Sequence, residues 1–187
     1  MQIGKVLYPI TTLGPGVRVG VWTTGCLKNC KGCSNPELQI FDESTDIEPE
    51  KLVQALDEFP YEGVTISGGE PFLQAAQLKK LIEAFLARGV EDILVYTGYY
   101  KEELEAKGDK DIEYIFSHIA VLIDGPFVQE LVDDTPLRGS SNQRVWGFKE
   151  AFTEKYRACL EEEKRIEVFR FDHETHYIGI PKKNSEK

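Results

Sequence analysis

The sequence has no apolar run approaching the roughly 18 residues that cross a membrane, and its N-terminus lacks the basic and apolar regions of a signal peptide. A soluble, cytoplasmic protein with no membrane partner is therefore expected. Basic residues are in the minority: 22 Lys and Arg against 32 Asp and Glu leave a net charge of −10. Nucleic-acid binding draws its affinity from clustered Lys and Arg, so that class of function is set aside. Histidine is scarce, with three in the chain and none beside the motifs described below, and no acid–base pair stands out. Internal repeats and low-complexity tracts are missing too. What is present is an ordinary globular balance, 41% hydrophobic and 29% charged, in a chain of 187 residues that suits one domain with a real core.

Cysteine is also sparse, but its placement is informative. Cys26, Cys30 and Cys33 lie together, and Cys159 stands far away. In a cytosolic chain, clustered cysteines read as metal ligands or redox centres before they read as disulfides. Thiolates suit zinc or iron–sulfur chemistry, and one short loop can wrap three of them round a single centre. A structural zinc ion needs four protein ligands, so that reading requires His118, Cys159, His173 or His176 as the fourth. A 4Fe-4S cluster on three cysteines instead leaves one iron open to an external ligand. Gly25 and Gly32 suit the tight loop, and Arg18, Lys28 and Lys31 flank or interrupt it, making the site locally positive.

The second motif is Gly68-Gly69-Glu70-Pro71. Two glycines at a strand end let the backbone approach a ligand closely, and Glu70 could lie near an ammonium group. Alone, such a pair is most often just a turn. Following Cys33 with a helix between them, it becomes specific.

Around these motifs the pattern alternates strand and helix. Strands are expected at Val17–Thr23, Gly63–Ser67, Asp92–Tyr96 and Ala120–Ile123. Helices are expected from Pro49 with a stripe of Leu52, Val53, Leu56 and Phe59, over Leu78–Leu86 before Gly89, from Lys101, and over Ala151–Leu160. Thr135–Arg144 reads as a polar loop. A β-hairpin near Ile166–Phe171 and Tyr177–Ile180, turning at Asp172–Thr175, closes the chain before a polar, frayed end at Lys182–Lys187. The fold class is thus α/β with mainly parallel strands plus a C-terminal helix and hairpin, and functional loops belong at the carboxyl ends of the strands. Cys159 lies on an apolar helical stripe, as a structural thiol would.

With its Cys26-x-x-x-Cys30-x-x-Cys33 and Gly68-Gly69-Glu70-Pro71 motifs, the chain resembles the radical S-adenosylmethionine (SAM) superfamily. More narrowly, it resembles the activating proteins of anaerobic (class III) ribonucleotide reductase. The supporting stretches are Gly14–Arg18, Thr24–Cys26, Lys31–Asn35, Tyr96–Tyr99, Val121–Phe127 and Arg138–Arg144. The resemblance implies a partial (βα) barrel core over residues 1–147 and a C-terminal extension over 148–187 packed on it. It implies one 4Fe-4S cluster on Cys26, Cys30 and Cys33, with SAM contacted by Gly32, Cys33, Ser34, Gly68, Gly69 and Glu70. Reductive cleavage of SAM would yield a 5′-deoxyadenosyl radical that makes a glycyl radical on a partner enzyme, with flavodoxin or ferredoxin as electron donor. No catalytic side chain is implied. Arg18, Lys28 and Lys31 read either as solvated loop charges or as a dock for the acidic donor; Asp124, Phe127 and the Arg138–Arg144 loop are expected to touch the partner, unless Arg138 and Asn142 only fix their own loop. Ser34 stands where many relatives carry an aromatic residue, and they tend to end soon after the Arg138–Gln143 stretch. Alternative readings are a radical SAM enzyme for a small molecule and a zinc-stabilised interaction domain.

Overall fold

The computed structural model of the protein describes residues 1–171 and 174–183. A six-stranded sheet runs in the order β1 (Ile3–Ile10), β2 (Arg18–Thr23), β3 (Gly63–Gly68), β4 (Asp92–Tyr96), β5 (Val121–Asp124) and β6 (Arg144–Gly147). The four central strands are parallel, and β1 and β6 are antiparallel edges. The sheet is open and does not close into a barrel. Among the described residues no helix is long and apolar enough to cross a membrane.

Alternation along each strand gives the sheet two apolar faces. Val19, Val21, Val64, Ile66, Ile93, Val95 and Leu122 point to one side, where helices α1 (Pro49–Gln54), α2 (Ala75–Leu86) and α4 (Lys110–His118) cover them. The α2 residues Leu78, Leu81, Ile82 and Phe85 are all buried, the face their helical spacing predicts. Trp22, Leu94, Tyr96, Val121 and Ile123 point to the other side. That face is covered by the C-terminal segment: α5 (Thr153–Glu161), with Tyr156, and a two-stranded sheet of β7 (Ile166–Phe171) and β8 (Glu174–Gly179), with Ile178.

Several elements differ from expectation. Strand β1, with Lys5 and Pro9 in its sequence, has only Leu7 and Ile10 fully buried and carries little sequence signal. The charged helix from Lys101 is two helices, α3 (Lys101–Glu105) and α4, separated at Gly108 and restarted by Asp109, whose carboxylate accepts the Asp111 N–H. Phe59 lies beyond α1 and is exposed, packing its ring on Tyr8 at 5.1 Å instead of joining a helical stripe. Arg144, the end of the expected polar loop, begins β6. Glu174 and Thr175 belong to β8, because they pair with Phe171 and Arg170; Asp172 and His173 of the expected turn lie outside the described residues, as do 184–187 of the expected frayed end. Lys182 and Lys183 are tethered to Glu163 and Asp134.

Candidate functional site

Register brings the two motifs together. Thr23, the last residue of β2, pairs with Gly68, the last of β3, so the cysteine loop and the Gly68–Glu70 turn leave the sheet side by side. The Gly69 N–H donates to the Thr23 carbonyl and the Glu70 N–H to the Gly25 carbonyl, each at 2.8 Å, while the Gly25 N–H reaches Leu38 at 2.9 Å. A Cβ on Gly68 would strike the Thr23 backbone and one on Gly69 the Gly25 carbonyl, so only glycine permits this contact.

Cys26, Cys30 and Cys33 are free thiols, half-buried, and all line one cavity with Gly68, Gly69, Glu70 and Ser34. The loop between them turns through left-handed conformations at Asn29 (φ 46°) and Gly32 (φ 74°) and is closed by the Cys33 N–H donating to the Cys30 carbonyl at 3.2 Å. Burial pushes the Cys26 thiol up, and the N–H groups of Lys28 and Asn29 pull it back. Among the described residues no three His, Cys, Asp or Glu side chains converge as ligands of one metal ion would. The three thiols face one cavity and the Lys28 N–H donates to the Cys26 sulfur at 3.4 Å, a soft-donor loop of the kind that suits iron–sulfur chemistry. His118, Cys159 and His176, named as fourth ligands for zinc, do not line this cavity. His118 stacks on Tyr114 and Cys159 packs half-buried beside Tyr156's cluster; His173 lies outside the described residues.

Glu70 is buried and acts as a brace. Its carboxylate accepts from the Phe72 N–H (3.1 Å), the Thr97 hydroxyl (2.8 Å) and the Gly98 N–H (2.7 Å), which ties the β3 turn to the β4 turn. Desolvation raises its pKa, and those donors oppose the rise. Lys28 crosses from the cysteine loop to the same region, its ammonium 3.8 Å from the Tyr99 ring centre and 3.9 Å from Glu103.

Two expected contacts are corrected by the structure. Arg18 is fully buried at the start of β2, the opposite end from the cysteines. It bonds Thr65 at 2.8 Å and the Val64 carbonyl at 2.7 Å and pairs with Asp92 at 3.0 Å, so it cannot dock an electron donor. Only Lys28 and the exposed Lys31 remain near the loop. Asp124 is also fully buried, paired with Arg144 and accepting the Lys101 N–H at 2.7 Å, so it cannot touch a partner. In the loop before β6, Arg138 pairs with Asp133, Asn142 donates to the Pro126 carbonyl, and Gln143 clamps the Gly139 and Ser140 N–H groups: these side chains fix their own loop. Phe127 is half-buried between Gly139 and Gly32 and joins that loop to the cysteines.

Sequence reasoning missed the far side of the cavity: Leu13, Trp22, Tyr96, and Tyr177–Ile180 of the C-terminal segment. The apolar character of Leu13, Trp22 and Ile178 signals burial but not what they surround.

The chain matches the family described as "4Fe-4S single cluster domain" over residues 12–146. It is 33% identical over 150 residues to the anaerobic ribonucleoside-triphosphate reductase-activating protein of Enterobacteria phage T4, covering 75% of this chain and 90% of that one. The protein of that name from Haemophilus influenzae is 33% identical over 152 residues (76% and 96%), and that of Escherichia coli K12 is 32% identical over 148 residues (74% and 94%).

Proposed function

This chain belongs to the 4Fe-4S single cluster domain family, in the company of anaerobic ribonucleoside-triphosphate reductase-activating proteins, and from that premise we propose that it is a radical SAM enzyme that activates such a reductase. The observation that carries the proposal is the shared cavity: three thiols from one loop and the Gly68–Glu70 turn from the neighbouring strand face the same space. Cys26, Cys30 and Cys33 would hold three irons of the cluster and leave the fourth for the α-amino and carboxylate groups of SAM. Backbone groups of Gly32, Cys33, Ser34, Gly68 and Gly69 would position that end, while Glu70 keeps the Thr97–Gly98 wall in place. Held there, the cluster would supply the one electron needed to break the S–C5′ bond of SAM to methionine and a 5′-deoxyadenosyl radical, which would take a hydrogen atom from a glycine Cα of the reductase.

The chain's own work is orientation and exclusion of water, for which packed loops serve better than titrating groups. That accounts for a site without an acid–base pair. Residues 1–147, as a partial barrel of the radical SAM type, carry the chemistry, and 148–187 form an extension. Flavodoxin or ferredoxin would approach Lys31 and Lys28.

Anaerobic reconstitution tests this directly. The expected outcome is roughly four irons per chain, 5′-deoxyadenosine formed on reduction, and a glycyl-radical signal when the reductase is added. Cluster without SAM cleavage would refute the chemistry; cleavage without a radical on the reductase would refute the partner and favour a small-molecule substrate.

A further inference from the structure

Resting on the reading of this chain as a SAM enzyme, we propose that β8 supplies the wall against which the nucleoside end of the cofactor packs, with Tyr177 as the stacking residue. The cavity has two kinds of lining. One comprises the thiols, Ser34, Ser67, Glu70 and Thr97; the other comprises Leu13, Trp22, Tyr96, Tyr177, Ile178 and Ile180. SAM has the same division, with a charged aminoacyl end and a flat purine end. The aminoacyl end belongs with the polar lining, so the purine is left with the apolar one.

Strand β8 is held firmly enough to serve. Ile178 is 2% exposed and packs with Leu7, Ile10, Leu13 and Trp22. Its carbonyl accepts the Thr12 hydroxyl at 3.2 Å, and Glu167, its partner on β7, accepts the Thr11 N–H and the Thr12 hydroxyl, each at 2.9 Å. Alternation along the strand then turns Tyr177 the other way. Tyr177 is among the residues lining the cavity and is 70% exposed, and among the described residues no ring or cation packs on it. An aromatic ring on a pinned strand loses little freedom on stacking, so a flat heterocycle is the occupant it suits. This wall lies beyond residue 146, where the family match ends.

The test compares the binding of SAM and of L-methionine to the anaerobically reconstituted protein by equilibrium dialysis, with iron content as the check on folding. Tyr177→Ala should weaken SAM binding about tenfold, leave methionine binding and iron content unchanged, and be rescued by Tyr177→Phe. Equal SAM affinity in Tyr177→Ala overturns the inference and leaves Tyr177 to the protein substrate. Parallel loss for SAM and methionine overturns it as well, since that reports a collapsed cavity. A parent protein that carries its cluster and binds no SAM overturns the proposed function itself, a separate result.

Discussion

Replacing Asp92 with asparagine removes one charge from a deeply buried ion pair in the sheet without changing the side chain's size. Asp92 begins β4 and meets Arg18 at 3.0 Å, Lys155 at 2.5 Å and the Tyr156 hydroxyl at 2.7 Å. Arg18 and Asp92 are almost inaccessible, whereas the Lys155 side chain is 36% exposed. The variant therefore strands the Arg18 guanidinium in the interior without its counter-charge. Breaking a buried pair from one side costs about 3–5 kcal/mol, and for a chain of this size that lowers the thermal midpoint by roughly 6–20 °C. Lys155→Met should cost much less, because water already screens that partner. Burial alone would lift the Asp92 carboxyl; Arg18, Lys155 and Tyr156 outweigh it and hold the group below the ordinary 3.8. Its contribution is thus complete above pH 3.8 and is lost as pH falls through the lower folded value, so parent and variant should converge in strong acid. Thermal and urea unfolding of the cluster-free protein across that range is the assay. Because these groups sit at the end of the strands opposite the cysteines, iron uptake by the surviving folded variant should match the parent. A variant as stable as the parent at pH 7 would refute the view that Asp92 neutralises Arg18.

Glu70 should show the opposite pH sign. Burial raises its folded pKa above the ordinary 4.5, so the native state keeps its proton longer than the unfolded chain and stability falls as pH climbs from 4.5 through that raised value. Urea unfolding of Glu70→Gln at pH 5 and pH 7 should therefore shift the comparison in the amide's favour at pH 7; no shift would contradict a desolvated carboxyl. Gly68→Ala should prevent stable folding, since the new methyl meets the Thr23 backbone, whereas Gly108→Ala, with φ 59° and open space, should cost only about 1–2 kcal/mol; circular dichroism melts distinguish them. Lys31→Glu should slow reduction by flavodoxin but not by dithionite, and equal rates for parent and variant with both reductants would end the docking idea.

The sequence made the chemistry-bearing loops legible because their residues act locally. A thiol triplet needs a tight loop, and Gly68-Gly69 needs a strand end, so spacing alone places both. The central strands were equally visible, since burial on both faces writes continuous runs such as Val64–Ile66 and Ile93–Val95. Strand β1 was not, because an edge needs few buried positions. Long-range charge was misread for a related reason. Arg18 lies eight positions before Cys26 in sequence, but the strand between them carries it to the far end of the sheet, where Asp92, 74 residues away, receives it. Asp124 likewise looks like a free acid after a strand until Arg144 arrives from the next edge.

The C-terminal segment joins both ends of this architecture. Tyr156 and Lys155 hold Asp92 at the strands' N-terminal ends, while β8 finishes in the cavity at their carboxyl ends. Between them, the buried Lys164 ammonium donates to the Asp133 carbonyl at 2.8 Å, and the Asp133 carboxylate holds Arg138. A cover for the sheet's second face would need apolar contacts only. Here polar groups of the segment also fix the Arg138 loop, whose Gly139 rests on Phe127 and, through it, against Gly32 of the cysteine loop. The segment therefore constrains the cysteine loop from behind as well as bounding the cavity in front, and its packing and the geometry of the site cannot vary independently.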